Sequence, residues 1–156
     1  MRLLVALLFF SVAFVSSRAD EITFVRVWPE WRSAESFERI SEYFNGRENT
    51  GGDIIVRTQS DQRAGFYFLV RVANAGASRT GTHFVLQVVG PKNPEPVITT
   101  FAANVPERSH VFLLGLTGKD WPDEKAHPVA WKVELRSAED QILATAQSFL
   151  WELPAK

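Results

Sequence analysis

Apolar and polar side chains alternate with a period of two along most of the chain beyond residue 20, which is typical of half-buried β-strands. The clearest case is 128–136, in which Val129, Trp131, Val133 and Leu135 alternate with smaller or charged residues. Similar stretches, or short runs rich in β-branched and aromatic residues, occupy 22–28, 54–58, 65–74, 82–90, 97–105, 110–116 and 142–153. About eight short strands separated by turn-forming residues predict an all-β protein built as an antiparallel β-sandwich.

Two of these stretches follow each other closely, joined by a turn rich in Gly and Ser, and we expect 65–74 and 82–90 to form a long hairpin. The connector 91–96 contains three prolines, which lack the amide donor that a central strand needs. It is therefore predicted to be a loop or a sheet edge. The predicted core faces of the two strands carry Phe66, Phe68, Val70 and Val72, and Phe84, Leu86 and Val88.

One segment has helical periodicity instead. In 33–46 the apolar residues Phe37, Ile40 and Phe44 recur at helical spacing, and four charged residues lie at other positions, Glu35, Glu38, Arg39 and Glu42. Ser33 is a suitable N-cap, and Asn45 followed by Gly46 is a typical helix end. We expect one amphipathic helix here, inserted between the first two strands and lying across one end or edge of the sandwich.

The first 19 residues have a cationic start, a continuous apolar run and small residues at Ser17 and Ala19. These features predict a secretory signal peptide cleaved before Asp20, because the apolar run is short for a membrane span. The rest, 20–156, contains no repeat or long linker and is predicted to be one domain. We expect a bacterial periplasmic or secreted protein with no membrane span after cleavage.

The chain has no cysteine, which excludes a disulfide framework and cysteine chemistry. The formal net charge of −1 gives no indication of nucleic-acid binding. The three histidines, His83, His110 and His127, show no metal-binding spacing, and the chain has no nucleophile elbow or phosphate loop. We therefore expect no metal, no cofactor and no catalysis.

Two tryptophan-containing segments are candidate contact sites. In "VWPEW" (27–31), Trp31 precedes the predicted helix and either packs on its first turn or stacks on a ligand. In "GKDWPDEK" (118–125), Trp121 either folds back over the end of the sandwich or is exposed for contact. The acidic residues beside Trp121 give only weak support for calcium binding, since they lack the spacing of an EF-hand loop.

The stretches "FLVRVANAGASRTGTHFVLQVVGP" (68–91) and "WKVELRSAEDQILATAQSFLW" (131–151) resemble strand pairs of exported bacterial immunoglobulin-like and fibronectin III-like domains. The second resembles the last hairpin of such domains. The resemblance implies an immunoglobulin-like sandwich and carries no catalytic residues.

Three functions are consistent with this sequence. The first is protein–protein interaction with another exported or cell-surface protein, through the helix with Trp31 or through a sheet edge that accepts a strand. The second is carbohydrate binding by exposed tryptophans, and the third is an enzyme with a site of His and acidic loop residues. A contiguous exposed apolar patch around the helix would favour the first. The candidate contact residues are Trp31, Trp121, Glu35, Glu38 and Glu42.

Overall fold

The computed structural model describes residues 22–151, apart from the side chain of Asn45. The predicted signal peptide and its cleavage site lie outside the described residues. Eight strands are present, β1 Ile22–Arg32, β2 Ile54–Arg57, β3 Gly65–Asn74, β4 His83–Gly90, β5 Asn93–Ala102, β6 Arg108–Thr117, β7 Ala130–Arg136 and β8 Ile142–Gln147. One α-helix, α1, spans Glu42–Asn45, and 3₁₀ turns span Glu35–Phe37, Gly118–Asp120 and Phe149–Trp151.

The strands form two four-stranded sheets, in the orders β1-β3-β6-β2 and β5-β4-β7-β8. Every pairing is antiparallel except that of β2 with β6, which is parallel. The two sheets enclose one core, so the predicted all-β sandwich of eight strands is confirmed. The predicted last hairpin is also confirmed, since β7 pairs directly with β8.

The alternation along the strands correctly identified the core. Phe66, Phe68, Val70 and Val72 of β3 are all buried against the inward side chains of β4. Across the sheets, the Phe84 and Phe112 rings lie 4.9 Å apart, and Phe68 contacts Trp131 at 5.7 Å. Each such buried aromatic side chain contributes about 3–5 kcal/mol, as judged by truncation to alanine in other proteins.

The predicted hairpin of 65–74 with 82–90 is wrong, because β3 and β4 lie in different sheets. The turn between them crosses from one sheet to the other, and it is held at its start by Asn74. The Asn74 amide donates to Ala77 O (2.9 Å) and to Pro106 O (3.0 Å), which ties the crossing to the β5–β6 connection. These bonds satisfy a buried amide and fix where the chain leaves the first sheet.

The proline-rich connector 91–96 leads into the edge strand β5, which agrees with the second of its two predicted forms, a sheet edge. β5 begins at Asn93, so part of the connector is strand, and β5 pairs with β4 alone. Prolines are tolerated there because their missing amide faces away from the neighbouring strand.

The helical segment is shorter than predicted. Instead of one helix over 33–46, the chain forms the 3₁₀ turn Glu35–Phe37 and then the single turn α1. Ser33 is not the N-cap, since Ala34 and Ser41 occupy those positions and neither makes a side-chain cap bond. The predicted stop is confirmed, because Gly46 adopts φ 65° and its N–H donates to Glu42 O. None of the helices in residues 22–151 is long and apolar enough to cross a membrane.

Candidate interaction surface

The segment between β1 and β2 is attached to the outer face of the first sheet by Phe37. The Phe37 side chain is 5% exposed and packs on the Tyr67 ring at 4.9 Å. Two guanidinium groups also lie over the Phe37 ring, Arg57 at 4.9 Å and Arg32 at 5.7 Å. A second, smaller apolar cluster therefore covers the first sheet on the side away from the main core. This location corrects the expected position across one end or edge of the sandwich.

A partly buried ion pair fixes the return of this segment towards β2. Arg57 donates to Glu48 through Nη1 (2.9 Å) and Nη2 (2.5 Å), and its Nε donates to Tyr67 Oη at 2.8 Å. The Tyr67 hydroxyl in turn donates to Arg63 O at 2.7 Å. These hydrogen bonds lower the pKa of Glu48 and hold that of Arg57 above its ordinary value, and burial raises the pKa of Tyr67. Every polar atom in this chain of contacts is paired, as burial of charge requires.

The polar side of α1 faces the protein. Glu42 accepts from Arg63 Nη1 at 2.8 Å, and this bond lowers the pKa of Glu42. The Glu42 carboxylate also accepts from Asn49 N at 3.2 Å, and Asn49 Nδ2 donates to Ser41 Oγ at 2.8 Å. Together with the left-handed Gly46, these contacts hold the single turn of helix in one orientation.

The apolar side of α1 faces solvent. Ile40, Tyr43 and Phe44 are 78%, 80% and 87% exposed, respectively. Their spacing of three and four residues brings them together on one side of a helical turn. We call these three residues the α1 patch. The helical spacing grouped Ile40 and Phe44 with Phe37, but only Phe37 is buried, because the hydrogen bonds of Ser41 and Glu42 hold the other two outward.

The acidic candidates have different surroundings. Glu35 and Glu38 are exposed, and Glu38 lies near Tyr43 of the α1 patch, whereas Glu42 is an anchor that is bonded to Arg63. Hydrogen bonds at the start of the 3₁₀ turn lower the pKa of Glu35, with its own backbone first and Ser33 second. A shallow depression of about 210 Å³ lies between Glu38, Arg39, Glu42, Tyr43 and Arg63.

Neither tryptophan candidate is exposed. Trp31 is half-buried and packs against the main core, so its role is structural, but it does not pack on the first turn as predicted, because Phe37 of that turn belongs to the cluster on the outer face of the sheet. Trp121 is 8% exposed, stacks near Phe66 at 5.1 Å and donates from Nε1 to Ala126 O at 3.2 Å. It therefore folds back over the end of the sandwich, as the first of its two interpretations held. Trp28, Trp131 and Trp151 are also half-buried.

The histidines lie at separate places in the fold. His83 contacts Asp140 at 3.2 Å, His110 contacts the backbone oxygen of Glu107 at 3.1 Å, and the His127 ring lies 6.0 Å from Phe66. Within residues 22–151, no three His, Asp or Glu side chains are grouped so as to hold a metal ion.

Comparison with known proteins adds no relative. No protein-family model matches the sequence, and no curated protein is significantly similar to it. The function must therefore be inferred from the geometry of the described residues.

Proposed function

We propose that this chain is an exported, non-enzymatic binding module that acts through protein–protein interaction, with the α1 patch as the contact surface. The observation that supports this is the orientation of α1. A surface helix normally packs its apolar side on the core and leaves its polar side in water. Here Ser41 and Glu42 are bonded to neighbouring residues, and Ile40, Tyr43 and Phe44 are left to solvent.

The composition of the patch suits a protein partner. Aromatic residues are enriched among the residues that dominate binding energy at interfaces, and a rigid aromatic loses little entropy on binding. The base of the patch is fixed by Phe37 and by the Arg57–Glu48 pair, so its shape is set before a partner arrives. The exposed carboxylate of Glu38, which lies near Tyr43, supplies a polar rim.

The fold is consistent with an immunoglobulin-like or fibronectin III-like domain. If β2 is set aside, the first, second and fifth remaining strands form one sheet, and the third, fourth, sixth and seventh form the other. This is the Greek-key order of immunoglobulin-like sandwiches, with the fourth strand added to the second sheet. Such domains commonly present their contact residues on segments that connect rigid strands, as α1 does here.

A protein partner is favoured over a carbohydrate by the state of the tryptophans. A glycan-binding surface of the expected kind needs a planar row of exposed rings. Trp31 and Trp121 pack into the main core instead, and the exposed aromatic side chains at α1 are accompanied by Ile40.

The test is site-specific photocrosslinking in the producing cell. A photoreactive phenylalanine analogue at Tyr43 should give a discrete adduct with another exported protein, and the same analogue at Phe149, also exposed, serves as the control. With the purified partner, Phe44→Ala should weaken binding by about 30-fold, the effect of losing a dominant interface residue, whereas Phe149→Ala should leave affinity unchanged. Equal labelling at both positions, or equal affinity of both alanine variants, would contradict the proposal.

A further inference from the structure

We propose that the outer edge of β5 binds an extended peptide by strand addition, with one apolar side chain of that peptide filling a cleft beside Val97. This site is separate from the α1 patch, and it stands or falls independently of the function proposed above. Its basis is the geometry of the β5 backbone, the shape of the cleft and the residues that line it.

The direction of the β5 backbone groups follows from its register with β4. In an antiparallel pair, alternate residues point their N–H and C=O groups towards the partner strand. Ala103, which continues the β5 register, donates to Thr82 O at 3.1 Å. Odd-numbered residues of β5 therefore direct their backbone N–H and C=O groups to β4, and even-numbered residues direct theirs to the free edge.

This edge is blocked in one half and open in the other. Pro94 and Pro96 are even-numbered and have no N–H to offer. Ile98, Thr100 and Ala102 each present a donor and an acceptor to solvent. Natural edge strands are usually protected by charges, prolines or bulges. The stretch 97–102 has neither a charge nor a proline. The register shift between β4 and β5 lies outside this stretch, between the pairs Val88–Val97 and Gly90–Asn93.

A cleft of about 600 Å³ lies beside the same strand, between β5 and the loop that follows β6. Its apolar lining comes from eight residues: Val88, Pro91, Val97, Ile98, Leu116, Trp121, Pro122 and Ala126. Val97 shares the inward face of β5 with Phe101, which is 4% exposed, yet Val97 is 59% exposed. The two sheets therefore diverge at this point and leave an inward-facing position uncovered. An added strand would place its own inward side chains in line with Val97 and over this cleft.

The rim of the cleft carries charges of both signs, Lys92 and Lys119 together with Glu95, Asp120 and Asp123. Recognition by net charge is therefore not favoured. The groups that remain are a row of backbone donors and acceptors and an apolar cavity, which together select an extended peptide with alternating apolar residues.

A second copy of this chain fits the site less well. A symmetric pairing of two β5 strands about Thr100 places Ile98 opposite Ala102, and therefore places Ala103 opposite Val97. Alanine is too small to fill the cleft, and Ala103 already packs against its own core. A separate peptide with a large side chain at this position fills it.

The experiment measures fluorescence anisotropy of a labelled synthetic peptide of alternating threonine and valine with one central leucine, added to the protein. Two matched peptides accompany it, one with alanine for the leucine and one N-methylated at alternate amides along one edge. We expect binding of the leucine peptide, at least threefold weaker binding of the alanine peptide and none of the N-methylated peptide.

Two variants of the protein separate the backbone from the side chain. Ile98→Pro extends the pattern of Pro94 and Pro96, so it removes an outward N–H without removing a bond to β4. It should lower the affinity for the leucine peptide at least tenfold. Ile98→Ala removes the same side chain but keeps the N–H, so it should bind the leucine peptide at least threefold more tightly than Ile98→Pro does. If the proline variant does not fold, Thr100→Pro removes the next outward N–H in the same way.

Three results would overturn the proposal. The first is no binding of the leucine peptide at about 1 mM, the weakest affinity of interest. The second is equal binding by Ile98→Pro and Ile98→Ala, which would mean that the cleft acts without strand addition. The third is concentration-dependent self-association in sedimentation that Ile98→Pro abolishes, which would assign the edge to a second copy.

Discussion

Phe37 is predicted to be the residue that holds the α1 segment on the first sheet, and Phe37→Ala tests this. Truncation of a buried phenylalanine costs about 3–5 kcal/mol, from lost transfer energy and the remaining cavity. The side chains of Arg32 and Arg57 border the site and can partly collapse into it, so we expect the lower end, about 3 kcal/mol. Urea unfolding of the purified protein measures this loss in free energy. In a heat scan it corresponds to a fall in Tm of roughly 10 °C for a chain of this size.

The matched control is Phe44→Ala, the same substitution seven positions later on the exposed side of α1. It should change the free energy of unfolding by less than about 0.5 kcal/mol, as surface substitutions usually do. A loss below about 1 kcal/mol for Phe37→Ala, or equal losses for the two variants, would refute the assignment of Phe37 as the anchor.

Two further predictions concern residues around Tyr67. Gly115→Ala places a Cβ at 2.5 Å from the fully buried Tyr67 ring, and overpacking should cost about 1–3 kcal/mol in urea unfolding, whereas Gly90→Ala has open space and should cost less than about 0.5 kcal/mol. Equal effects of the two alanines would contradict the packing described. Glu48→Gln should cost about 1 kcal/mol at neutral pH, because Glu48 pairs with Arg57 and is partly exposed. The folded-state pKa of Glu48 is below its ordinary 4.5, so its stabilisation is complete above that pH and is lost as pH falls through the lower value. The difference in unfolding free energy between wild type and Glu48→Gln should therefore shrink below pH 4.5, and a constant difference down to pH 2 would contradict this.

The strand content was predictable because it depends on local alternation. The period of two in 65–74 and 128–136 identified both strands and most of their core faces, although Val129 lies before β7 and is exposed. Sheet membership was not predictable in the same way. A short turn rich in Gly and Ser suits both a hairpin and a crossing between sheets, and the bonds of Asn74 to a distant backbone oxygen decide between them.

The α1 patch shows a second limit of the pattern. The spacing of Phe37, Ile40 and Phe44 predicts an apolar face, but the spacing alone does not say whether that face meets the protein or the solvent. The contacts of Glu42 with Asn49 and with Arg63 decide this, and the second joins residues 21 positions apart in the chain. A signal was nevertheless present in β3. Its outer face carries Tyr67 and Leu69, so both faces of that strand are apolar, which indicates that something covers the outer one.

The parallel pairing of β2 with β6 has a consequence for the order of folding. β2 pairs with a strand that follows much later in the chain, and the contact between Gln59 and Thr117 spans 58 positions. Closure of so long a loop is slow relative to local pairing. Glu48 is bonded to Arg57 at the end of β2, so the contacts that hold the segment with the α1 patch are complete only after β6 has been made and paired with β2. We expect a partner that recognises the patch to distinguish the finished protein from an incomplete or misfolded chain.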